Sequence, residues 1–244
     1  MANMTKLVTI APNRQLATTA GASYDRMRTD GLPAGGINSA YRSIASQDAI
    51  FRARYKIVYR FTRIWYAGHF WVHVSGLPVA VPGKSAHNKG LALDVALNSK
   101  AHDWLIKHGA RYGWSRPIPD ADPVHWEYNA KNDDEARAQA AARKQIRYVQ
   151  KALHVAHSGQ FDAATRKAAR AVESANDTPA TFPYGVEYAQ THSGTKADNH
   201  WGVKSKAANT KTVKAVQSAL GQTPDGDWGA KTQADLEATA RRAK

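Results

Sequence analysis

The chain has 244 residues, 43% of them hydrophobic, a formal net charge of +14 and no cysteine. That length fits one large or two modest domains, and the apolar content excludes a wholly disordered chain. Without cysteine, disulfides and thiolate metal ligands are excluded, so any metal site must be built from His and carboxylate.

The opening MANMTKLVTIAPNRQ holds one Lys before an apolar run too short and interrupted for a signal-peptide core, so synthesis in the cytosol without a leader is expected. No stretch approaches the ~20 apolar residues of a membrane helix, so no membrane insertion is expected. Leu16, Ala20, Tyr24 and Met27 recur at helical spacing, with Gly31 and Pro33 as stop signals. GINSAYRS reads as a short strand entering a turn. Ser43 caps a second helix with Ala45, Phe51 and Tyr55 on its apolar face. FTRIWYAGHFWVHV reads as a hairpin about Ala67-Gly68. LALDVAL alternates: Leu91, Leu93, Val95 and Leu97 share one face, and Ala92, Asp94 and Ala96 the other. A helix through Trp104 and Leu105 ends near Gly109, and VHWEY is a further strand. Separate helices and antiparallel strands predict an α+β domain over residues 1–130.

Composition shifts near residue 130. NAKNDDEARAQAAARKQ is polar and Ala-rich, which suits a linker or linking helix over 131–143. The remainder, 144–244, contains an internal repeat at an offset of 67 residues. Gln150, Leu153, Gly159, Phe161 and Thr165 correspond to Gln217, Leu220, Gly226, Trp228 and Thr232. Each copy predicts a small helical module, so this part reads as a smaller all-α domain built by duplication. The segment from about Glu173 to Thr210 gives no clear signal.

Chemistry concentrates in SAHNKGLALD and DPVHWE. His87, Asp94 and His125 are a credible His₂Asp set for a catalytic zinc, leaving one coordination position for water. Asp94 lies between alanines, which leaves room for imidazoles beside it. Asp122, three residues before His125, is the candidate general base and acid. Glu127, two residues after His125, competes for that role or supports a ligand His. His69 and His73 have the i, i+4 spacing of a zinc helix but lie in a strand pattern, and they read as structural. The run from Ala49 to Gly90 has no acidic residue and seven Lys/Arg; those between 52 and 63 read as a solvated basic surface.

These strings resemble the VanY-type D-alanyl-D-alanine carboxypeptidases, a family that includes the L-alanyl-D-glutamate endopeptidases of phage endolysins. Ser85, His87, Gly90, Ala92 and Asp94 match its SxHxxGxAxD pattern, and Asp122 with His125-Trp126-Glu127 matches the later one, with Asp where many members have Glu. The resemblance spans roughly 12–130 and implies a zinc peptidase with His87, Asp94 and His125 as ligands and Asp122 as catalytic carboxylate. It extends to Tyr41-Arg42-Ser43 and Gln47. By it Arg42 and Gln47, with Ser43 beside them, hold the substrate, and Ser85 either binds substrate or orients the loop; a planar guanidinium meets a carboxylate bidentately.

The C-terminal repeat is similar to peptidoglycan-binding modules of pattern VQxxL…DGxxGxxT. Asp225 and Trp228 are its wall-binding candidates, although such a Trp packs in the module core more often. The first copy departs, with Ser158 and Asp162 where Asp and Gly are usual. The expected whole is a monomeric phage endolysin-type zinc peptidase, made in the host cytoplasm, that cuts peptidoglycan stem peptides and leads to lysis. The alternatives are a bacterial carboxypeptidase trimming terminal D-Ala and a non-catalytic wall binder. The positive charge is spread over both halves, +8 in 1–130 and +6 in 131–244, with no nucleic-acid motif, so nucleic acid is not an expected partner.

Overall fold

The computed structural model describes residues 6–244, and the chain divides between Ala136 and Arg137 into two compact units. Among the described residues, no helix is long and apolar enough to cross a membrane.

The N-terminal unit opens with a hairpin, β1 (Leu7–Ala11) and β2 (Arg14–Ala17), turned at Asn13 with φ +55°. Asn tolerates this left-handed conformation better than most side chains. The first helix, α1 (Thr18–Thr29), therefore starts later than the apolar spacing suggested. Leu16 lies in β2, although it is fully buried in the same core as Ala20, Tyr24 and Met27. A short strand β3 (Ile37–Ser39) leads to α2 (Ile44–Arg54). The Ser43 side chain accepts from Ser46 N–H at 3.1 Å and caps α2. Tyr55 is not helical. It begins β4 (Tyr55–Val58), which with β5 (Ile64–Tyr66) and β6 (His69–His73) forms a three-stranded sheet in the order β4-β6-β5. Ala67 and Gly68 turn the β5–β6 hairpin, both at positive φ.

The main sheet is antiparallel, ordered β3-β7-β9-β8, with β7 at Ala92–Val95, β8 at Tyr112–Ser115 and β9 at His125–Asp133. Helix α3 (Lys100–His108) is capped by Ser99, with Gly109 following it. Leu93, Val95, Leu105, Tyr112, Trp114 and Trp126 fill the core with α1. Each such side chain stabilises by about 1.5–3 kcal/mol when withdrawn from water. Leu97 lies past the end of β7 and is 46% exposed, so the alternating face stops at Val95. At the end of β9 the fully buried Asp133 accepts from Arg26, from Tyr128 Oη at 2.9 Å and from Ala136 N–H at 2.8 Å.

Residues 131–133 finish β9, and α4 (Asp134–Ala152) follows without a break. The second unit is helical: most of α4, then α5 (Ala163–Asn176), α6 (Val186–His192), α7 (Val203–Ala219) and α8 (Ala230–Arg242). Ile146, Leu153, Val172, Val213, Val216 and Leu236 form its core.

Three loops in this unit share one hydrogen-bond pattern. Gln150 donates to Ser158 Oγ, to Gln160 O and to Thr165 Oγ1, and its Oε1 accepts from Gly159 N–H. Gln217 does the same to Asp225, Asp227 O, Thr232 and Gly226 N–H. Gln190, in the stretch the sequence left unassigned, repeats it with Asp198, His200 O, Ser205 and Asn199 N–H. All three Gln are buried, and the residue nine positions on has positive φ in each loop. Eleven positions on stand Phe161, Trp201 and Trp228.

Candidate metal centre

Strands β7 and β9 pair with Asp94 opposite His125 and Ala92 opposite Glu127. Antiparallel register thus brings together two residues that are distant in sequence. His87 lies on a single 3-10 turn, His87–Lys89, just before β7. Gly90 ends that turn at φ +68°, where a Cβ would stand 2.6 Å from the Ala17 backbone nitrogen. Only glycine fits both the conformation and the space.

The donor atoms form a near-equilateral triangle. His87 Nε2, Asp94 Oδ1 and His125 Nδ1 are each 3.2 Å from the other two. Tetrahedral zinc with ordinary bond lengths places its ligand atoms about 3.3 Å apart. The remaining nitrogen of each ring is occupied: His87 Nδ1 meets the Ala40 carbonyl, and His125 Nε2 meets Glu127 Oε1 at 3.1 Å. A ring that donates from its outer nitrogen presents a lone pair at the inner one. Two imidazole nitrogens and a carboxylate oxygen converging at this spacing are a donor set that suits a divalent cation, so the residues present fit the metal.

Burial alone would raise the Asp94 pKa, but hydrogen bonds with His125 and His87 outweigh it and hold the carboxylate well below its ordinary range. Burial would lower His125, yet Asp94 and Glu127 raise it overall.

Around the triangle, Arg42 Nη2 stands 3.7 Å from Asp94 Oδ2, and its Nη1 donates to Gln47 Oε1 at 2.9 Å. Gln47 in turn donates to the Ala80 carbonyl at 2.7 Å. Arg42 and Gln47 are therefore a pair beside the His–Asp–His cluster. Ser85 Oγ accepts from His87 N–H at 3.2 Å, which orients the ligand loop. Ser43 is occupied with its helix cap. Asp122 sits on the turn before β9, where its carbonyl accepts from His125 N–H. It is half-buried, and its carboxylate has no partner among the described residues.

His69 and His73 lie at the ends of β6 in the other sheet, exposed and outside the cluster. Three supporting groups had no sequence signal that identified them. The Ala40 carbonyl is backbone. Asn88 bonds Arg42 O at 2.7 Å through its amide, and its Oδ1 accepts from Gly83 N–H. His102 Nε2 lies 3.4 Å from the Pro123 carbonyl on the Asp122 turn. In the helical unit the Trp228 ring is 7% exposed and lies in the core, so of its two alternatives the packing one is observed. Asp225 is exposed but receives Gln217 and the Asp227 amide, so it braces its own loop.

Fold and site define a metal-dependent hydrolase. Residues 13–132 match the family VanY, described as D-alanyl-D-alanine carboxypeptidase. This segment is a VanY-family domain, and with its donor set it is a zinc metallopeptidase domain. Two solved structures are similar. One is the vancomycin-resistance D,D-pentapeptidase VanY from a VanB-type cassette, as a Glu-to-Ala mutant in complex with Zn(II), at 20% identity and TM-score 0.34, over 50% of this chain and 78% of that one. The other is VanYB in complex with D-alanine-D-alanine, at 22% identity and TM-score 0.36, over 57% and 84%. No curated protein sequence matches the chain significantly.

Proposed function

We propose that the chain hydrolyses an amide bond in the peptide stems of bacterial peptidoglycan, as an endolysin-type enzyme whose helical unit holds it on the wall. The observation that carries this reading is the 3.2 Å triangle with both outer imidazole nitrogens anchored. His87, Asp94 and His125 hold the zinc, which when bound lowers the pKa of water and polarises the scissile carbonyl. Asp122 takes the proton from the attacking water on its free carboxylate and gives it to the leaving amine. Glu127 is engaged with His125 Nε2, which fits orientation of that ring better than proton transfer. Arg42, steadied by Gln47, meets a substrate carboxylate. The helical unit lends proximity: a tethered catalytic unit meets its substrate at a high effective concentration.

The description of the matched family favours a second reading, trimming of terminal D-Ala from pentapeptide stems. Mass spectrometry of purified peptidoglycan after digestion separates the two. New amino termini in cross-linked or branched muropeptides support the endopeptidase. Free D-Ala alone establishes the carboxypeptidase instead. Zinc-loaded protein that pellets with walls and releases nothing reduces the chain to a binder.

A further inference from the structure

The small sheet β4-β6-β5 has two unlike faces. Tyr55, Trp71 and Ile64 turn inward against Phe51. Register places Val58, Phe70 and Trp65 together on the other face, with Lys56 and Val72 two residues along. Phe61, in the loop after β4, joins them by stacking edge-on to Phe70 at 5.4 Å, and Trp65 does so at 4.6 Å. This face is open to solvent: Phe61 is 82% exposed, Trp65 58%, and the adjoining Tyr59 100%. Contiguous exposed aromatic surface marks a place of association.

Charge restricts the occupant. Residues 49–90 carry seven Lys/Arg and no acidic residue. Lys56, Arg60 and Arg63 flank the aromatic face and are exposed, and none has an acidic partner among the described residues. A second copy would bring like charge against like charge. A sugar surface offers hydroxyls that carboxylate and amide side chains accept from, yet residues 49–87 contain no Asp, Glu, Asn or Gln. Bases need flat platforms. Here the rings lean edge-on at 63° and 65°, with valines filling the rest. An apolar layer beneath an anionic plane satisfies both halves of the patch, and aromatic rings with Lys/Arg are the side chains suited to that boundary.

We propose that the Val58–Phe61–Trp65–Phe70 face, with Lys56, Arg60 and Arg63, docks on the surface of an anionic phospholipid bilayer without spanning it. The inference does not depend on the zinc site. It is tested by sedimenting the full chain with vesicles containing phosphatidylglycerol and with purely phosphatidylcholine vesicles, at several salt concentrations. Pelleting is expected with the anionic vesicles and should weaken as salt rises. Arg60→Gln with Arg63→Gln should weaken it about 25-fold, from about fivefold per cation. Phe61→Ser with Trp65→Ser should abolish it, while both double variants keep wild-type hydrolysis of soluble muropeptides. Three results overturn the proposal: equal binding to both vesicle types, wild-type binding by the arginine variant, or variant losses seen only with lipid-free walls or single-stranded oligonucleotide. The arginine variant, altered only at exposed polar positions, keeps the test decisive if the aromatic variant misfolds.

Discussion

His87 and His125 each meet a partner on the ring nitrogen that faces away from the cluster. Both rings are therefore held in the orientation that the proposed ligation needs. Replacing His87 by Ala should abolish zinc binding and wall hydrolysis together, as read by metal analysis and turbidity loss of wall suspensions. Glu127→Gln keeps the shape but weakens the hydrogen bond to His125. It should lower zinc affinity by roughly 10- to 100-fold while sparing much of the turnover at saturating metal. Asp122→Ala should keep zinc and lose roughly 10²–10⁴-fold in turnover on soluble muropeptides. Wild-type rates in that variant would move the proton-transfer role to Glu127. The donor triad was legible in the sequence because zinc narrows the usable residue types and the cysteine-free composition narrows them again. The Ala40 carbonyl was not, since a backbone oxygen leaves no trace in residue identity.

At the scale of elements, each of the three buried loop-latching Gln side chains trades one buried amide for four or five hydrogen bonds within its loop. Gln190→Ala should destabilise the helical unit by about 1–3 kcal/mol, comparable to Gln150→Ala and Gln217→Ala. Chemical denaturation followed by circular dichroism checks this, and indifference at residue 190 would remove the third latch from the account. The Asp residues of two loops add a pH signature. Asp198 is held below the ordinary carboxylate range first by Gln190 and then by the His200 amide. Asp225 is held there first by the Asp227 amide and then by Gln217. A depressed folded-state pKa gives stability that is present above the unfolded value of ~3.9 and lost as pH falls through the folded one. The melting temperature of this unit should therefore drop between pH 5 and pH 2.5, and Asp198→Asn with Asp225→Asn should flatten the drop. The outer two latches were legible because both keep Gly and Thr at a constant offset. The middle one was hidden by unequal spacing and by Asn199 and Ser205 standing where those residues occur. Similarly, the helical spacing at Leu16 does not mark helix, because a buried strand residue satisfies the same apolar pattern.

For the whole molecule, the place to separate the units follows from Asp133. A break after Lys131, suggested by composition, would remove a fully buried carboxylate that binds Arg26, Tyr128 and the start of α4. A chain ending after Ala136 retains all three contacts. It should hydrolyse soluble muropeptides at near wild-type rate and bind intact walls less well, as measured by pelleting. A fragment ending at Lys131 should be less stable, because an Arg26 left without its carboxylate is costly. The two-part organisation was readable from the change to an Ala-rich, polar stretch. The join was not, because the same residues that resemble a linker continue one helix.

Helix α7 begins in the Gln190 loop, where Ser205 sits in its first turn, and carries Gln217 near its last. Seventeen residues make a rod about 25 Å long, fastened at both ends. Loosening either end should release the other, so the amide protons of Asn199 and Gly226 should exchange with deuterium at matching free energies. That of Gly159, whose latch lies on α4, is free to follow its own clock.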